Sequence, residues 1–445
     1  MASAAEQLAA NMNFGALAKA TELKKRIWFT LGALIIYRLG TYIPIPGIDT
    51  SIFASIYESQ AQGGVLDIFN AFSGGALERM TIFALNIMPY ISASIIMQLL
   101  TAVSPQIEAL KKEGEAGRKK INQYTRYGTV VLAAVQAYGI AKGLEATVGQ
   151  GGSAVIEPGL FFELSTVITL TGGTIFLMWL GEQITQRGVG NGISLIIFSG
   201  IVANLPIALA QAFSVGQTNA LAIVMPIMAI AVIAFIVFVE RAHRRIIVQY
   251  PKRQVGNKMF GGEASHLPMK LNVAGVIPPI FASSLLLMPL TAAGFSQGSG
   301  PEWLSWVTAH LGRGSPAYLM LFAGLIVFFA FFYTSIVFNP VDTADNLKKH
   351  GGFIPGIRPG KNTATYLEYV LTRLTVVGAA YLAFVCLLPE IISAQFSVVT
   401  FYFGGTSLLI VVSVTMDTVG QIHSHLLAHQ YEGLIKKSKL KGRRG

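Results

Sequence analysis

The stretch "LDIFNAFSGGALERMTIFALNIMPYISASIIMQLL", residues 66–100, joins two pieces of unequal reach. From residue 80 onward it supplies about 21 mostly apolar residues, roughly 31 Å as a helix, which is enough to cross a bilayer. The half-apolar segment before it is too short to span. A break at membrane depth is tolerated only where protein or a water-filled cavity surrounds the backbone. The short piece is therefore expected to sit inside a protein-lined space.

Composition places the rest of the chain in the same solvent. Of 445 residues, 53% are hydrophobic and 12% charged, a poor match to a soluble globular domain. Apolar runs of spanning length occur at 27–44, 80–100, 127–144, 160–180, 193–213, 219–239, 273–291, 317–338, 369–388 and 401–422, predicting ten spans. The polar start lacks a cleavable apolar core, so the first run is expected to stay in the mature protein. Cys386, the single cysteine, lies in an apolar run and reads as a small buried hydrophobe.

Basic residues orient the spans. With the N-terminus inside, 29 of the 33 Lys and Arg residues fall on the cytoplasmic side, leaving Arg38, Arg79, Lys142 and Arg313 outside. An even number of spans with both termini cytoplasmic follows. Two cytoplasmic loops, 240–272 and 340–373, exceed ordinary helix connections, and long loops are usually functional. They are expected to present Lys and Arg to an anionic partner such as RNA, an acidic protein surface or lipid headgroups.

Catalytic signals are missing. The sequence has no phosphate-binding G-x-x-x-x-G-K-[ST], no H-E-x-x-H and no carboxylate pair within the spans, which disfavours an intramembrane hydrolase. "RGVGNG", residues 187–192, lacks a following Lys-Ser/Thr and reads as a tight turn between spans. His425 and His429 have a metal-compatible spacing but no third ligand type nearby, so a solvated tail is favoured. A secondary transporter of a small solute is the alternative reading. It calls for ionisable groups near the midplane, whereas Arg38, Glu163 and Asp417 lie near span ends. Mid-span polarity is mild, from Asn86, Ser92, Ser94, Gln98, Gln136, Ser283 and Ser284; such groups join helices or line an intermittently wet path.

Five blocks then become specific: "SGGALERMTIFALNIMPYISASIIMQLL" (73–100), "KKEGEAGRKKINQYTRYGT" (111–129), "FLMWLGEQITQRGVGNGIS" (176–194), "NPVDTADNLKKHGGFIPGIRPG" (339–360) and "FYFGGTSLLIVVSVTMD" (401–417). Together they closely resemble the bacterial SecY family, over about residues 20–442. The resemblance implies an all-α polytopic fold in the bacterial cytoplasmic membrane, with ten helices in two pseudo-symmetric, inverted-repeat halves. The first half would be 27–213 with a short re-entrant plug helix at 64–75. The second would be 219–422 with cytoplasmic loops 240–272 and 340–368, flanked by an N-terminal segment 1–26 and a basic tail 423–445.

The family's function is a protein-conducting channel that passes unfolded secretory polypeptides and releases transmembrane segments sideways. The resemblance implies a pore ring of Ile87, Ile91, Ile197, Ile280 and Ile410, with Ile87 and Ile91 one helical turn apart on a shared face. It implies a plug of Leu66, Asp67, Phe69, Asn70, Phe72, Ser73, Gly74 and Gly75. In that plug Phe69 and Phe72 would face the ring, Asp67 and Asn70 would meet water, and the glycines would form a flexible joint. A lateral gate would pair Ser92 and Gln98 with Ser283 and Ser284 through weak cross-helix hydrogen bonds.

Arg244, Arg245, Lys252, Arg253, Lys258, Lys348, Lys349 and Arg358 would dock the motor ATPase SecA or the ribosome and its RNA, with the turn around Arg358 aiming its guanidinium outward. The chain would carry no ATPase site, cofactor or metal of its own. SecE and SecG would complete a heterotrimer serving signal sequences and nascent chains among membrane lipids, with YidC and SecD/SecF as further partners. Two positions depart from the family pattern: Asn86, where relatives often have glycine, and Asn257, where many carry a second basic residue.

Overall fold

The computed structural model describes residues 20–61, 70, 73–146, 148–149, 152–215, 221–250, 253–255, 258–260, 264–295, 315–395 and 405–441. In chain order the elements are α1 (Thr21–Gly40), α2 (Thr50–Ala61), α3 (Met88–Val103), α4 (Pro105–Lys112), α5 (Glu115–Ala146), β1 (Val148–Gly149), β2 (Gly152–Ser153), α6 (Leu160–Arg187), α7 (Gly192–Val215) and α8 (Leu221–Arg241). There follow β3 (His243–Gln249), β4 (Arg253–Val255), β5 (Lys258–Phe260), β6 (Ala264–Lys270), α9 (Ile277–Phe295), α10 (Pro316–Val337), α11 (Pro340–Lys349), α12 (Lys361–Gln395) and α13 (Gly405–Lys441). Each of the ten apolar runs overlaps one helix: α1, α3, α5, α6, α7, α8, α9, α10, α12 and α13.

Among the described residues four helices are by themselves long and apolar enough to cross a membrane: Leu160–Arg187, Pro316–Lys349, Lys361–Ile391 and Gly405–Ala428. The pair Met88–Val103 and Pro105–Lys112, bent by 98°, would make a fifth. One large apolar cluster runs through the helices and unites side chains from α1, α3, α5, α6, α7, α8, α9, α10, α12 and α13.

Local chemistry sets the helix starts. Ser315 begins α10, its hydroxyl accepting from the Tyr318 amide at 3.1 Å with Pro316 in the first turn. Asn339 does the same for α11 ahead of Pro340, accepting from the amides of Val341 (3.0 Å) and Asp342 (3.4 Å). Both are side-chain acceptors followed by a residue whose missing N–H costs nothing there. The 187–192 segment is a turn, as expected, and its amides are already engaged. Val189 donates to Thr30 Oγ1 (3.0 Å), Gly190 to Gln421 Oε1 (2.9 Å) and Gly192 to Thr185 Oγ1 (2.9 Å). The turn thus ties α1, α6 and α13 together rather than cradling a phosphate.

The expected continuous second span is corrected. Residues 74–87 form turns, closed by short-range bonds such as Ala84 N to Thr81 O (2.9 Å) and Asn86 N to Phe83 O (2.8 Å), and α3 begins only at Met88. Pro89 supplies the reason. Inside a continuous helix its ring would collide with the Leu85 carbonyl, whereas in the first turn it is accommodated. The shared face of Ile87 and Ile91 survives, because the Ile91 amide bonds the Ile87 carbonyl at 3.1 Å and opens the helix.

The fold is mostly helical, as expected, and the loop 240–272 has an ordered form of its own. It is an antiparallel ribbon, with β3 pairing β6 from His243↔Lys270 to Gln249↔Ala264 and β4 pairing β5 at its far end. In "HRRIIVQ" Ile246 and Val248 are buried while Arg245, Ile247 and Gln249 are exposed. That is the alternation of a strand with one covered face.

Asn86 has φ +48° and Met80 φ +44°, both left-handed. Asparagine is among the few non-glycine residues that visit this region routinely, so Asn86 suits the backbone it occupies. Asn86→Gly is expected to leave the thermal stability of the purified complex nearly unchanged. Asn86→Val should lower it by about 1–2 kcal/mol, since a branched Cβ is penalised at positive φ; equal melting of the two variants would contradict the assignment.

Candidate functional site

The ring candidates come from four helices. Ile87 and Ile91 at the head of α3, Ile197 in α7 and Ile410 in α13 are all buried, and half-buried Ile280 of α9 packs against the same apolar cluster. Among these helices α3 packs against α9 and α7 packs against α13.

The seam candidates lie where α9 packs against α3 and α5. Ser283 and Ser284 are buried, and Ser92 and Gln98 are half-buried. The expected cross-helix hydrogen bonds are mostly replaced by bonds within each helix. Ser283 donates to the Ile280 carbonyl (3.0 Å), and Gln98 Nε2 donates to Ser94 Oγ (3.3 Å). Serine in a helix readily bonds back to the preceding turn. Ser284 is the exception, directing its hydroxyl across the seam to the Met88 sulfur at 4.0 Å, a weak acceptor. Gln98 Oε1 is buried without a partner among the described residues.

Of the plug candidates, Leu66, Asp67, Phe69 and Phe72 lie outside the described residues. Asn70 does not meet water: it is 3% exposed. Its side chain donates to Glu78 Oε2 (3.2 Å) and accepts from the Glu78 amide (3.1 Å), while its carbonyl accepts from Gly75 N (3.1 Å) and Ser73 Oγ (3.0 Å). Gly74 and Gly75 have φ +69° and +85°, as glycine permits, yet Gly74 is not a loose joint. A Cβ there would lie 2.5 Å from Arg38 Nη1 and 3.0 Å from the Gly200 Cα.

In the two long loops, Lys252 and Asn257 lie outside the described residues, and Arg253 and Lys258 fall in β4 and β5. Arg244, Arg245, Lys348, Lys349 and Arg358 are exposed. Basic residues nearer α4 and α5 are instead matched by acids: Lys112 with Glu108 (2.7 Å), Lys120 with Glu113 (3.9 Å) and Arg126 with Glu182 (2.7 Å). The Lys112 ammonium holds the Glu108 carboxyl below its usual range through their hydrogen bond and charge attraction. Among the described residues no such ion pair engages the five exposed cations of the two long loops, so their field is open to an anionic partner.

One feature here escaped the sequence reading: the two long loops are a single unit. Gln249 of β3 and Phe353 exchange both backbone bonds, N to O at 2.8 and 2.9 Å. Beneath this bridge Ile246, Val248, Met269, Ile354, Leu367, Val370, Leu371 and Leu374 form a second hydrophobic core. Gly352 admits the close approach, since a Cβ would stand 3.0 Å from the Tyr250 ring. The Arg358 turn is anchored to α12 by Thr363 Oγ1 donating to the Arg358 carbonyl (3.1 Å). Alternation in β3 was the available signal, but the partner at Phe353 lies 104 residues further on, and the sequence carries no local mark of it.

The SecY family profile matches residues 81–419. Protein translocase subunit SecY of Escherichia coli (strain K12) is 54% identical over 426 residues, covering 95% of this chain and 96% of that protein. A structure described as showing that the plug domain of SecY stabilises the closed state of the translocation channel superposes with TM-score 0.64 at 19% identity, covering 91% of this chain and 92% of that one. Sec61 in a canine ribosome-channel complex from the endoplasmic reticulum gives TM-score 0.60 at 18% identity, with the same coverage.

The second core carries a direct test. Leu367 is fully buried in it, so Leu367→Ala should cost about 2–5 kcal/mol locally. Limited proteolysis should then cut the 240–272 ribbon and the 350–360 turn together, because they share that core. Cleavage confined to one of them would show that they are independent.

Proposed function

The chain belongs to the SecY family of protein translocase channel subunits, and from that premise we propose how its residues divide the work. It is a multi-pass membrane protein whose isoleucines, Ile87, Ile91, Ile197, Ile280 and Ile410, form the waist of a channel between two halves, 27–213 and 219–422. The observation that supports this reading is that all five side chains, from four separate helices, lie in or against one apolar cluster. Deformable branched side chains exclude hydrated ions yet yield to an extended polypeptide. No polar residue there selects a substrate by sequence.

The seam between α9 and the pair α3 and α5 is the lateral exit to lipid. Held mainly by apolar contact and one weak O–H···S bond, it can be replaced by the apolar face of a signal sequence, because lipid, protein and signal helix offer nearly equal dispersion contacts. Residues 64–75 are the plug that closes the outer funnel. The two halves hinge beside the connection between α7 and α8.

Energy comes from outside the chain. The exposed Arg244, Arg245, Lys348, Lys349 and Arg358, with Lys252, Arg253 and Lys258, form the cytoplasmic docking face for SecA or for ribosomal RNA, and the channel subunit has no ATPase site of its own. SecE and SecG complete the assembly in the bacterial cytoplasmic membrane, with both termini inside and YidC and SecD/SecF as accessory partners. The relatives described above are translocation-channel proteins, which leaves the solute-transporter alternative without support.

The experiment is site-specific crosslinking. Probes at Ile87, Ile280 and Ile410 should each capture a polypeptide stalled during export; absence of adducts at all three would overturn the channel reading. Cysteines at Ser92 and Ser283, joined by a short bifunctional crosslinker, should block membrane insertion and signal-sequence entry. Undiminished export through the locked seam would remove the lateral gate from this position.

A further inference from the structure

The 240–272 ribbon and α9 meet at one buried joint. The end of α8 passes into β3 through Ala242, whose amide bonds the Val239 carbonyl (3.1 Å), and β6 returns where Leu271 N bonds Ala242 O (3.0 Å). Inside that closure Glu240 and Asn272 are both buried, and Asn272 Nδ2 donates to Glu240 Oε1 at 2.7 Å. Among the described residues Glu240 makes no ion pair. A carboxylate buried away from water is costly unless it is hydrogen-bonded, and Asn272 supplies the bond.

Asn272 serves the next element as well. Its Oδ1 accepts from Gly275 N (3.1 Å) and its Nδ2 also donates to Gly275 O (3.0 Å), closing a turn in which Gly275 has φ +64°. Two residues later α9 begins at Ile277. The α12 backbone approaches closely, since a Cβ at Gly378 would stand 3.2 Å from Leu271 O and 3.5 Å from Asn272 Cα. Leu271 itself packs against both hydrophobic cores. One amide side chain thus ties together the end of α8, the base of the ribbon and the turn from which α9 departs.

We propose that Glu240 and Asn272 are positioning residues for translocation: their buried hydrogen bond holds α9, with Ile280, Ser283 and Ser284, in fixed orientation to the ribbon, so that a load on the ribbon is delivered to that helix. The inference rests on the docking reading of the ribbon given above. Glu240→Gln keeps an acceptor opposite Asn272. Asn272→Asp keeps the acceptor for Gly275 N but removes the donor and sets two carboxylates face to face. Combining the two substitutions restores a donor and an acceptor with their roles exchanged. Loss of a hydrogen bond to a charged group lowers the fraction of aligned complexes about tenfold.

The assay is SecA-driven export by the full-length chain in its reconstituted membrane complex, read as the maximal rate and as the SecA concentration that gives half of it. Asn272→Asp should lower the maximal rate about tenfold and leave the half-maximal concentration unchanged. Glu240→Gln should stay near the native rate, and the double variant should recover most of the loss. Should Asn272→Asp fail to assemble, Glu240→Ala, which removes the acceptor, carries the same expectation. An undiminished rate, or a loss that the double variant does not reverse, overturns the joint. Arg245→Glu together with Arg358→Glu is the control for docking and should raise the half-maximal concentration. If that control changes nothing, the docking reading falls and the joint with it; if the control responds while Asn272→Asp does not, the joint alone is wrong.

Discussion

Backbone that is not helical at membrane depth must find every hydrogen-bond partner inside the protein, because lipid offers none. Residues 74–87 face that constraint in an extreme form. They make no helix, and Ala76, Met80, Thr81, Ala84 and Ile87 are fully buried. The short extended piece 43–45 meets part of the need by pairing with 80–82. Further bonds come from short turns, from Asn70 and from Tyr37 and Arg38. The outer ends of the first two spans are consequently one structural unit.

That unit fixes where the ring can be. Since α3 starts at Met88 and covers 16 residues, about 24 Å, it does not traverse the full hydrocarbon thickness as helix. The remaining depth is taken up by the buried turns. Ile87 therefore sits at a helix start, on backbone anchored through 80–82 to the end of α1, and Ile91 follows one turn later. The start of α3 is thus held by the same anchoring that fixes residues 80–82 against the segment after α1.

The helices were legible because a run of apolar residues long enough to cross a bilayer has few other interpretations. What was not legible depended on backbone satisfaction rather than on composition. Residues 80–87 read as helix by hydropathy alone. Pro89 was the overlooked mark of the break, and Asn86 in place of glycine was a second. The roles of Asn70 and Gly74 were misjudged for a related reason: a polar residue in a short segment suggests water, and paired glycines suggest freedom, until the carbonyls they expose are seen to have partners. Serines at the seam followed a rule of helices, bonding to their own preceding turn, that a seam-based expectation had set aside.

The two long loops repeat the logic in a wetter setting. The 240–272 ribbon and the 350–360 turn gain a common core only because Gln249 and Phe353 exchange backbone bonds above Ile246, Val248, Ile354 and Leu367. The core ends on the first turns of α12, whose 35 residues would reach roughly 52 Å if straight. Arg358 is tied to that helix start through Thr363, and Ala364 N bonds Gly360 O at 3.1 Å. A partner that pushes on Arg358 therefore does not bend a loose loop. It loads a packed cap that continues into α12, which packs against α10 and α13. The same α13 carries Ile410. The cap around Arg358 and the helix that carries Ile410 are thus joined by packed helices.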